Sequence, residues 1–217
     1  MKKYSTIFFD LDGTLTESAE GIINCVVYAL EALNQPIPHS NVLFKFIGPP
    51  LIDSFMSFCG MDKALAEEAV AKYRERFSVV GLFENKLYRD IPELLDSLVK
   101  NGYTLALATA KPQDYAIRIM DHFDISRFFT HIAGAQMSES RLHKDEVITY
   151  ALSLVDERDK SRIVMVGDRD NDILGAKANN LDSIGVLYGY GSYDELSSAG
   201  ATYIVPTVCE LKDFFIK

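Results

Sequence analysis

Short apolar runs recur along the chain and predict a set of buried strands. The first run, 5–9, is rich in β-branched and aromatic residues and ends abruptly at Asp10. Similar runs lie at 104–108, 131–133, 162–166, 183–187 and 203–205. Apolar residues at helical spacing separate most of them, at 91–100, 113–122 and 144–155. Strands that alternate with helices predict an α/β fold, a doubly wound parallel sheet covered on both faces.

One long segment breaks this alternation, because 18–83 carries a helical pattern throughout. We expect a first helix with apolar residues from Ile22 to Leu33, a second near 42–58 and a third near 64–77. A crossover between parallel strands needs only about a dozen residues. The sequence therefore predicts an all-helical domain at 16–83, inserted into an α/β core made of 1–15 and 84–217. The insert's aromatic residues are expected to form its core, and they are Phe44, Phe46, Phe55 and Phe58.

Composition and charge narrow the class of protein. With 48% hydrophobic and 24% charged residues, the 217-residue chain has the composition of a globular protein. The net charge of -9 argues against nucleic acid or an anionic membrane as a partner, since both require a surplus of Lys and Arg. The first residues show no signal-peptide pattern and no stretch approaches membrane-spanning length, so a cytoplasmic protein with a small-molecule partner is expected. Three scattered cysteines indicate neither zinc nor a disulfide framework.

Two carboxylates follow the first predicted strand, where an open α/β sheet binds its ligands. In Asp10-Leu11-Asp12-Gly13-Thr14 they stand two positions apart, and they point the same way if the chain stays extended. A carboxylate can attack phosphorus and form an acyl phosphate, provided that a second group protonates the leaving oxygen and later deprotonates water. We therefore take Asp10 as the candidate nucleophile and Asp12 as its acid/base partner.

A second acidic cluster follows the fourth predicted strand, with Asp168, Asp170 and Asp172. If it meets the first cluster at one sheet edge, carboxylates converge where a phosphate must also bind. Two like charges about 4 Å apart repel by roughly 4 kcal/mol at an effective dielectric of about 20. An all-oxygen site of this kind favours Mg²⁺ as the compensating cation.

Two further residues are placed to hold phosphate. Thr109 ends the second strand, where its hydroxyl and neighbouring amides could bind phosphate oxygens. Lys144 begins a helical pattern, and its ammonium group there would stabilise both the phosphate and the nucleophile. Lys111, although it follows the same strand, is expected to be a solvent-exposed helix residue. The segment Tyr188-Gly189-Tyr190-Gly191 is expected to form a turn and not a nucleotide loop.

These motifs, in this order, resemble those of the haloacid dehalogenase superfamily of phosphatases over essentially the whole chain. The resemblance implies that Asp10 is both nucleophile and metal ligand, and that Asp12 is the acid/base and gives its backbone carbonyl to Mg²⁺. It makes Asp168 a metal ligand, and Asp172 a support for the metal's waters or for the orientation of Lys144.

The residues that end the second predicted strand, and the helical insert, extend the resemblance. Thr109 and Ala110 are implied at the phosphate, although Ala110 stands where many relatives have Asn. Similarly, Arg169 stands where many have Ser or Thr. The insert resembles the cap of the phosphoglycolate phosphatase-like branch, and Ile47-Gly48-Pro49-Pro50-Leu51 resembles a segment of its bacterial 5'-nucleotidase-like members.

The expected activity is hydrolysis of a small phosphomonoester, with nucleoside 5'-monophosphates ahead of 2-phosphoglycolate. A phosphomutase of the β-phosphoglucomutase type stays open, since an aspartyl-phosphate can be passed to a sugar. A receiver-like signalling module also combines a phosphorylated aspartate with Mg²⁺, but it has no use for Asp12 or for a helical insert. The oligomeric state is not indicated by the sequence.

Overall fold

A six-stranded parallel sheet forms the centre of the larger part of the chain. The computed structural model describes residues 3–136 and 141–216. The strands are β1 (Thr6–Phe9), β2 (Thr16–Glu17), β3 (Lys86–Leu87), β4 (Thr104–Pro112), β5 (His131–Ala135), β6 (Ile163–Gly167), β7 (Asp182–Val186) and β8 (Tyr203–Val205). The sheet order is β5-β4-β1-β6-β7-β8, while β2 and β3 pair separately. After β1 the chain adds β4 and β5 on one side of this strand, and then β6, β7 and β8 on the other side, as in doubly wound folds.

Helices connect the strands and make up most of the insert. They are α1 (Ala19–Ala32), α2 (Ser40–Leu43), α3 (Leu51–Cys59), α4 (Lys63–Arg76), α5 (Ile91–Lys100), α6 (Gln113–His122), α7 (Lys144–Leu154), α8 (Asp170–Ala178), α9 (Tyr193–Ala199) and α10 (Val208–Ile216). Single 3₁₀ turns lie at Phe44–Phe46, Ser126–Phe128 and Lys160–Arg162, and a π turn lies at Phe77–Gly81. The predicted fold class, a doubly wound parallel sheet with an inserted helical segment, is confirmed. Among the described residues no helix combines the length and the apolar character that crossing a membrane requires.

The chain divides into two compact units, which we describe separately. The larger comprises the described residues up to Thr16 and from Leu87 onward, and the smaller is Glu17–Lys86. The larger contains the parallel sheet and the helices from α5 to α10. The smaller contains α1 to α4. That the smaller unit acts as a cap over the sheet stays a prediction.

Strand β1 lies at the centre of the sheet and is buried along its whole length. It pairs with β4 on one side and β6 on the other, in register from Thr6 to Phe9. Phe8 packs in an apolar cluster with residues of the neighbouring strands and of α7. Burying a side chain of this size contributes about 1.5–3 kcal/mol. Asp10 therefore follows a strand that is fixed on both edges and both faces.

In the smaller unit, the prediction of one helix near 42–58 is wrong. The chain leaves the 3₁₀ turn at Ile47, takes a positive φ of 107° at Gly48, and resumes as a helix only after Pro50. Prolines remove the amide donors that a continuous helix needs and disfavour helical backbone before them. Because the helix is broken, the phenylalanines do not share one face: Phe46 and Phe55 pack ring to ring in the core, whereas Phe44 is 46% exposed.

Candidate active site

The candidate residues meet at the carboxyl ends of three adjacent strands. Asp10 and Asp12 follow β1, Asp168 follows β6, and Thr109 lies in β4. Because β4, β1 and β6 are neighbours in the sheet, their carboxyl ends share one edge. Lys144, the first residue of α7, is brought to the same edge. Ligands bind in open α/β sheets at such a point, where the order of strands reverses.

Three buried carboxylates form the centre of this site. Asp10, Asp168 and Asp172 each offer an oxygen, and these oxygens all lie within 4.8 Å of one another. Two donors orient Asp168: the Thr14 hydroxyl donates to Oδ1 over 3.2 Å, and the Tyr190 amide donates to Oδ2 over 2.8 Å. The Arg169 amide donates to Asp172 over 3.1 Å. Backbone amides therefore fix one oxygen each of Asp168 and Asp172, and the Thr14 hydroxyl fixes the second oxygen of Asp168.

The electrostatics of the cluster show how costly its negative charge is. Burial raises the pKa of Asp10 to about 6, with Asp172 and Asp12 adding to the shift and Lys144 opposing it. Burial, together with Asp172 and Asp10, raises the pKa of Asp168 well above its ordinary value. Asp10 and Asp168 resist ionisation because each is desolvated beside other groups of the same sign. A cation in their midst would remove this cost.

Lys144 bridges two of the three carboxylates. Its Nζ lies 2.7 Å from Asp10 Oδ1 and 2.7 Å from Asp172 Oδ1, and it donates to the Ala108 carbonyl over 3.1 Å. Burial alone would lower the pKa of this ammonium group, but the two carboxylates raise it, so Lys144 stays charged. Its chain fits against α8 because Gly175 has no Cβ, which would stand 2.9 Å from Lys144 Cγ.

Lys111 corrects one prediction, since it is not a solvent-exposed helix residue. Strand β4 continues through Pro112, and the Lys111 side chain is only 5% exposed, with Nζ 2.8 Å from Asp12 Oδ2. The signal in the sequence that Lys111 is buried was weak, because a lysine directly before a proline such as Pro112 is typical of the start of a helix. Asp12 thus has a buried partner that the motif order did not reveal.

Thr109 is buried, and its hydroxyl already has a local contact. Its Oγ1 accepts a hydrogen bond from the Lys111 amide over 3.2 Å, which leaves the hydroxyl proton for donation to another acceptor. Ala110 follows it in β4 and is partly exposed. Thr109 and Ala110, which were expected at the phosphate, therefore lie beside Lys111 in β4, and their phosphate role stays a prediction.

The segment from Tyr188 to Gly191 forms the predicted turn, and its contribution to the site was missed. A Cβ at Gly189 would overlap the Gly13 carbonyl and Asp168, and one at Gly191 would overlap the Asp168 carbonyl. The Tyr188 hydroxyl donates to the Thr14 carbonyl over 3.1 Å. The turn thus packs directly on both acidic loops. Glycines, a backbone amide and a tyrosine hydroxyl supply these contacts, so no charged side chain marked the segment.

Three further polar residues, Asp170, Arg169 and His143, lie at the margin of the site. Asp170 is exposed, and its amide donates to Glu195 over 3.0 Å. The Arg169 side chain pairs with the same glutamate, with Nε 2.7 Å from Oε1. His143 is exposed at the start of α7, where its amide donates to Glu146, as expected of a helix-capping position.

The donor set fits a hard divalent cation. All three converging groups are carboxylate oxygens, the ligands that Mg²⁺, Mn²⁺ and Ca²⁺ prefer. Asp12 Oδ1 is also buried and has no hydrogen-bond partner among the described residues. Uncompensated buried carboxylate oxygens of this kind are expected where a cation or a proton-exchanging ligand binds.

The fold and the family match together define the class of this protein, a hydrolase. The chain belongs to the haloacid dehalogenase-like hydrolase family, whose model matches residues 7–186. The predicted resemblance and the predicted enzyme class, a phosphatase of this family, are confirmed.

Several relatives and a solved structure match nearly the whole chain. A protein of Pseudomonas aeruginosa named 5'-nucleotidase is 44% identical, over 97% of this chain and 95% of its own. The tyrosine-protein kinase PtkA of Mycobacterium tuberculosis is 37% identical, over 95% of this chain and 71% of its own. A phosphoglycolate phosphatase of Colwellia psychrerythraea is 29% identical, over 97% and 96%. The crystal structure of a predicted phosphatase from Clostridium acetobutylicum is 43% identical, over 97% of both chains, with a TM-score of 0.93.

Proposed function

We propose that the protein is a Mg²⁺-dependent phosphomonoester hydrolase that acts through an aspartyl-phosphate on Asp10. One observation carries this proposal: the carboxylates of Asp10 and Asp12 are paired with two different buried lysines. Lys144 holds Asp10 and Lys111 holds Asp12. Two adjacent carboxylates kept in separate environments can perform two different tasks, one as nucleophile and one as proton donor.

In the first half of the reaction Asp10 attacks phosphorus. A bond forms between its carboxylate oxygen and phosphorus while the bond from phosphorus to the leaving oxygen breaks, and Asp12 gives its proton to that oxygen. Lys144 keeps the Asp10 carboxylate in place through Oδ1. Thr109 and the backbone near Ala110 would hold the phosphoryl oxygens.

In the second half the aspartyl-phosphate is hydrolysed. Asp12, now ionised, removes a proton from water as the water oxygen attacks phosphorus, and the bond from phosphorus to Asp10 breaks. Inorganic phosphate leaves, Asp10 is again a carboxylate, and Asp12 is again protonated. Mg²⁺, held by Asp10, Asp168 and the Asp12 carbonyl with support from Asp172, would supply charge neutralisation for the phosphoryl group.

The turn beside Asp168 gives a prediction about metal affinity. Replacing Gly189 with Ala is expected to weaken Mg²⁺ binding by about 10- to 100-fold, because the added Cβ displaces Asp168. Calorimetric titration of the protein with Mg²⁺ measures this directly. Gly102→Ala is the control: its Cβ would meet nothing within 4 Å, so only the melting temperature should fall. Unchanged Mg²⁺ affinity in Gly189→Ala would contradict the supporting role of the turn.

We further propose that nucleoside 5'-monophosphates are the preferred substrates, ahead of 2-phosphoglycolate. The 44% identical relative named 5'-nucleotidase supports this order. The segment Ile47-Gly48-Pro49-Pro50-Leu51, which resembles that branch, supports it as well. The cytoplasmic location expected from the sequence stays a prediction.

A panel of phosphomonoesters, scored by release of inorganic phosphate with Mg²⁺ present, tests the proposal. It includes nucleoside 5'-monophosphates, 2-phosphoglycolate, a hexose 1-phosphate and phosphotyrosine, the last because one relative is named a tyrosine-protein kinase. We expect the highest kcat/KM with a nucleoside 5'-monophosphate. A higher value for another ester would overturn the substrate order. Conversion of the hexose 1-phosphate to its 6-phosphate would instead indicate a mutase, and absence of turnover a receiver-like module.

A further inference from the structure

The ion pair between Lys111 and Asp12 is almost completely buried. The two side chains are only 5% and 10% exposed, and Nζ lies 2.8 Å from Oδ2. Removing two charges from water costs several kcal/mol per ion, and mutual attraction repays this only when the geometry is favourable. Such a pair is therefore weak evidence for a role in stability, and its position within the site points to a role in the reaction.

The backbone of β4 is irregular at the point where it carries Lys111. The strand pairs with β5 up to Thr109, opposite Gly134, and pairing resumes only at Pro112, opposite Ala135, with a shift of register. Bulges of this kind redirect a side chain and are common beside active sites. The Lys111 amide is tied to Thr109 Oγ1 over 3.2 Å. A Cβ at Gly134 would stand only 2.8 Å from the Lys111 carbonyl, so this glycine permits the close approach of β5.

The two oxygens of Asp12 have different surroundings. Oδ2 is held by Lys111, whereas Oδ1 is buried and has no hydrogen-bond partner among the described residues. A carboxyl group that is fixed through one oxygen presents the other in a defined direction. The ion pair therefore anchors Oδ2 of Asp12 and leaves Oδ1 without a hydrogen-bond partner in the part of the chain that the structure describes.

We infer that Lys111 is a positioning residue for Asp12, which fixes Oδ2 so that Oδ1 exchanges the proton with the leaving oxygen and then with water. This inference rests on the proposed function, because it assigns a task to the acid/base of that reaction. It separates Lys111 from Lys144, which bridges Asp10 and Asp172 and does not hold Asp12. Lys111 itself makes and breaks no bond.

Loss of this positioning should depend on the leaving group. Lys111→Met keeps most of the buried chain and removes the donor. For a nucleoside 5'-monophosphate, whose alkoxide leaving group needs a proton, we expect the first-turnover rate to fall by about 10- to 100-fold. For p-nitrophenyl phosphate, whose leaving group departs without a proton, we expect a loss of less than about threefold. KM should change by less than about twofold for both, since no phosphate contact is lost.

A double-mutant cycle distinguishes action through Asp12 from direct contact with substrate. If Lys111 acts only through Asp12, then Lys111→Met should have no further effect in an Asp12→Asn enzyme, measured as the first-turnover rate with the nucleoside 5'-monophosphate. An additional loss in the double mutant, or a raised KM for both esters in the single mutant, would show that Lys111 contacts substrate and would overturn the inference.

Two further variants keep the test decisive. Lys111→Arg retains a charged donor and should recover at least about fivefold of the nucleotide rate lost in Lys111→Met. If the methionine variant does not fold, Lys111→Gln takes its place in the same comparison of leaving groups. Equal losses with both esters, alongside a lower melting temperature, would assign Lys111 a structural role only. If the unmodified enzyme hydrolyses no ester, the proposed function itself fails, and that result is distinct from the others.

Discussion

Replacing Asp10 with asparagine is expected to lower kcat for every phosphomonoester by at least about 10⁴-fold, the scale on which loss of a nucleophile acts. The amide is neutral and cannot form a stable acyl phosphate with the substrate's phosphorus. It also leaves Lys144 paired with Asp172 alone. The change is nearly isosteric, so the protein should keep its circular dichroism spectrum and a cooperative melting transition.

Asp170→Asn is the matched control for this result. It makes the same chemical change in the neighbouring acidic loop, but its side chain is exposed and outside the carboxylate cluster. We expect its kcat to stay within about twofold of the unmodified enzyme, as for a surface substitution. Appreciable turnover by Asp10→Asn, confirmed to be free of contaminating phosphatase, would remove Asp10 from the nucleophile position.

Chelation of metal is expected to have an effect of similar size. In EDTA the rate should fall by at least about 10³-fold, and excess Mg²⁺ should restore it, because the phosphate dianion must enter a site that already holds several buried carboxylates. Burial and the neighbouring carboxylates already raise the pKa of Asp168 well above its ordinary value without a further negative charge. Full activity in EDTA would contradict this electrostatic account.

A binding measurement separates metal affinity from activity. Asp168→Asn should abolish the heat of Mg²⁺ binding in a calorimetric titration, while Asp170→Asn should leave it unchanged. Asp168 contributes to the converging oxygens and Asp170 does not. If both variants bind Mg²⁺ as the unmodified protein does, the metal lies elsewhere.

The fold was largely readable from the sequence because its central strands are buried on both faces. Such strands appear as uninterrupted apolar runs, and each of the six predicted runs overlaps a strand of the sheet. The helices Ile91–Lys100 and Gln113–His122 have the predicted bounds, since Pro92 and Pro112 mark their starts. Helices α8, α9 and α10 were not predicted: acidic and small residues obscure the apolar spacing of α8 and α9, and α10 has only 9 residues.

The candidate site could be predicted from the sequence only where charged side chains stand at the ends of strands or at the start of a helix. Position and residue type both indicated the site for three residues at the ends of strands or the start of a helix, namely Asp10, Asp168 and Lys144. Lys111 gave no such signal, because the bulge that redirects it depends on pairing between β4 and β5. The Tyr190 amide that donates to Asp168 could not be foreseen, since every residue except proline carries that donor.

Detection of the phosphoenzyme tests the central claim most directly. Asp12→Asn enzyme, which lacks the base for the second half of the reaction, is mixed with p-nitrophenyl phosphate and Mg²⁺ and quenched in acid during the burst. Peptide mapping by mass spectrometry should then find one phosphoryl group on Asp10. A burst of p-nitrophenolate without a phosphorylated peptide, or with the phosphoryl group on another residue, would contradict the account.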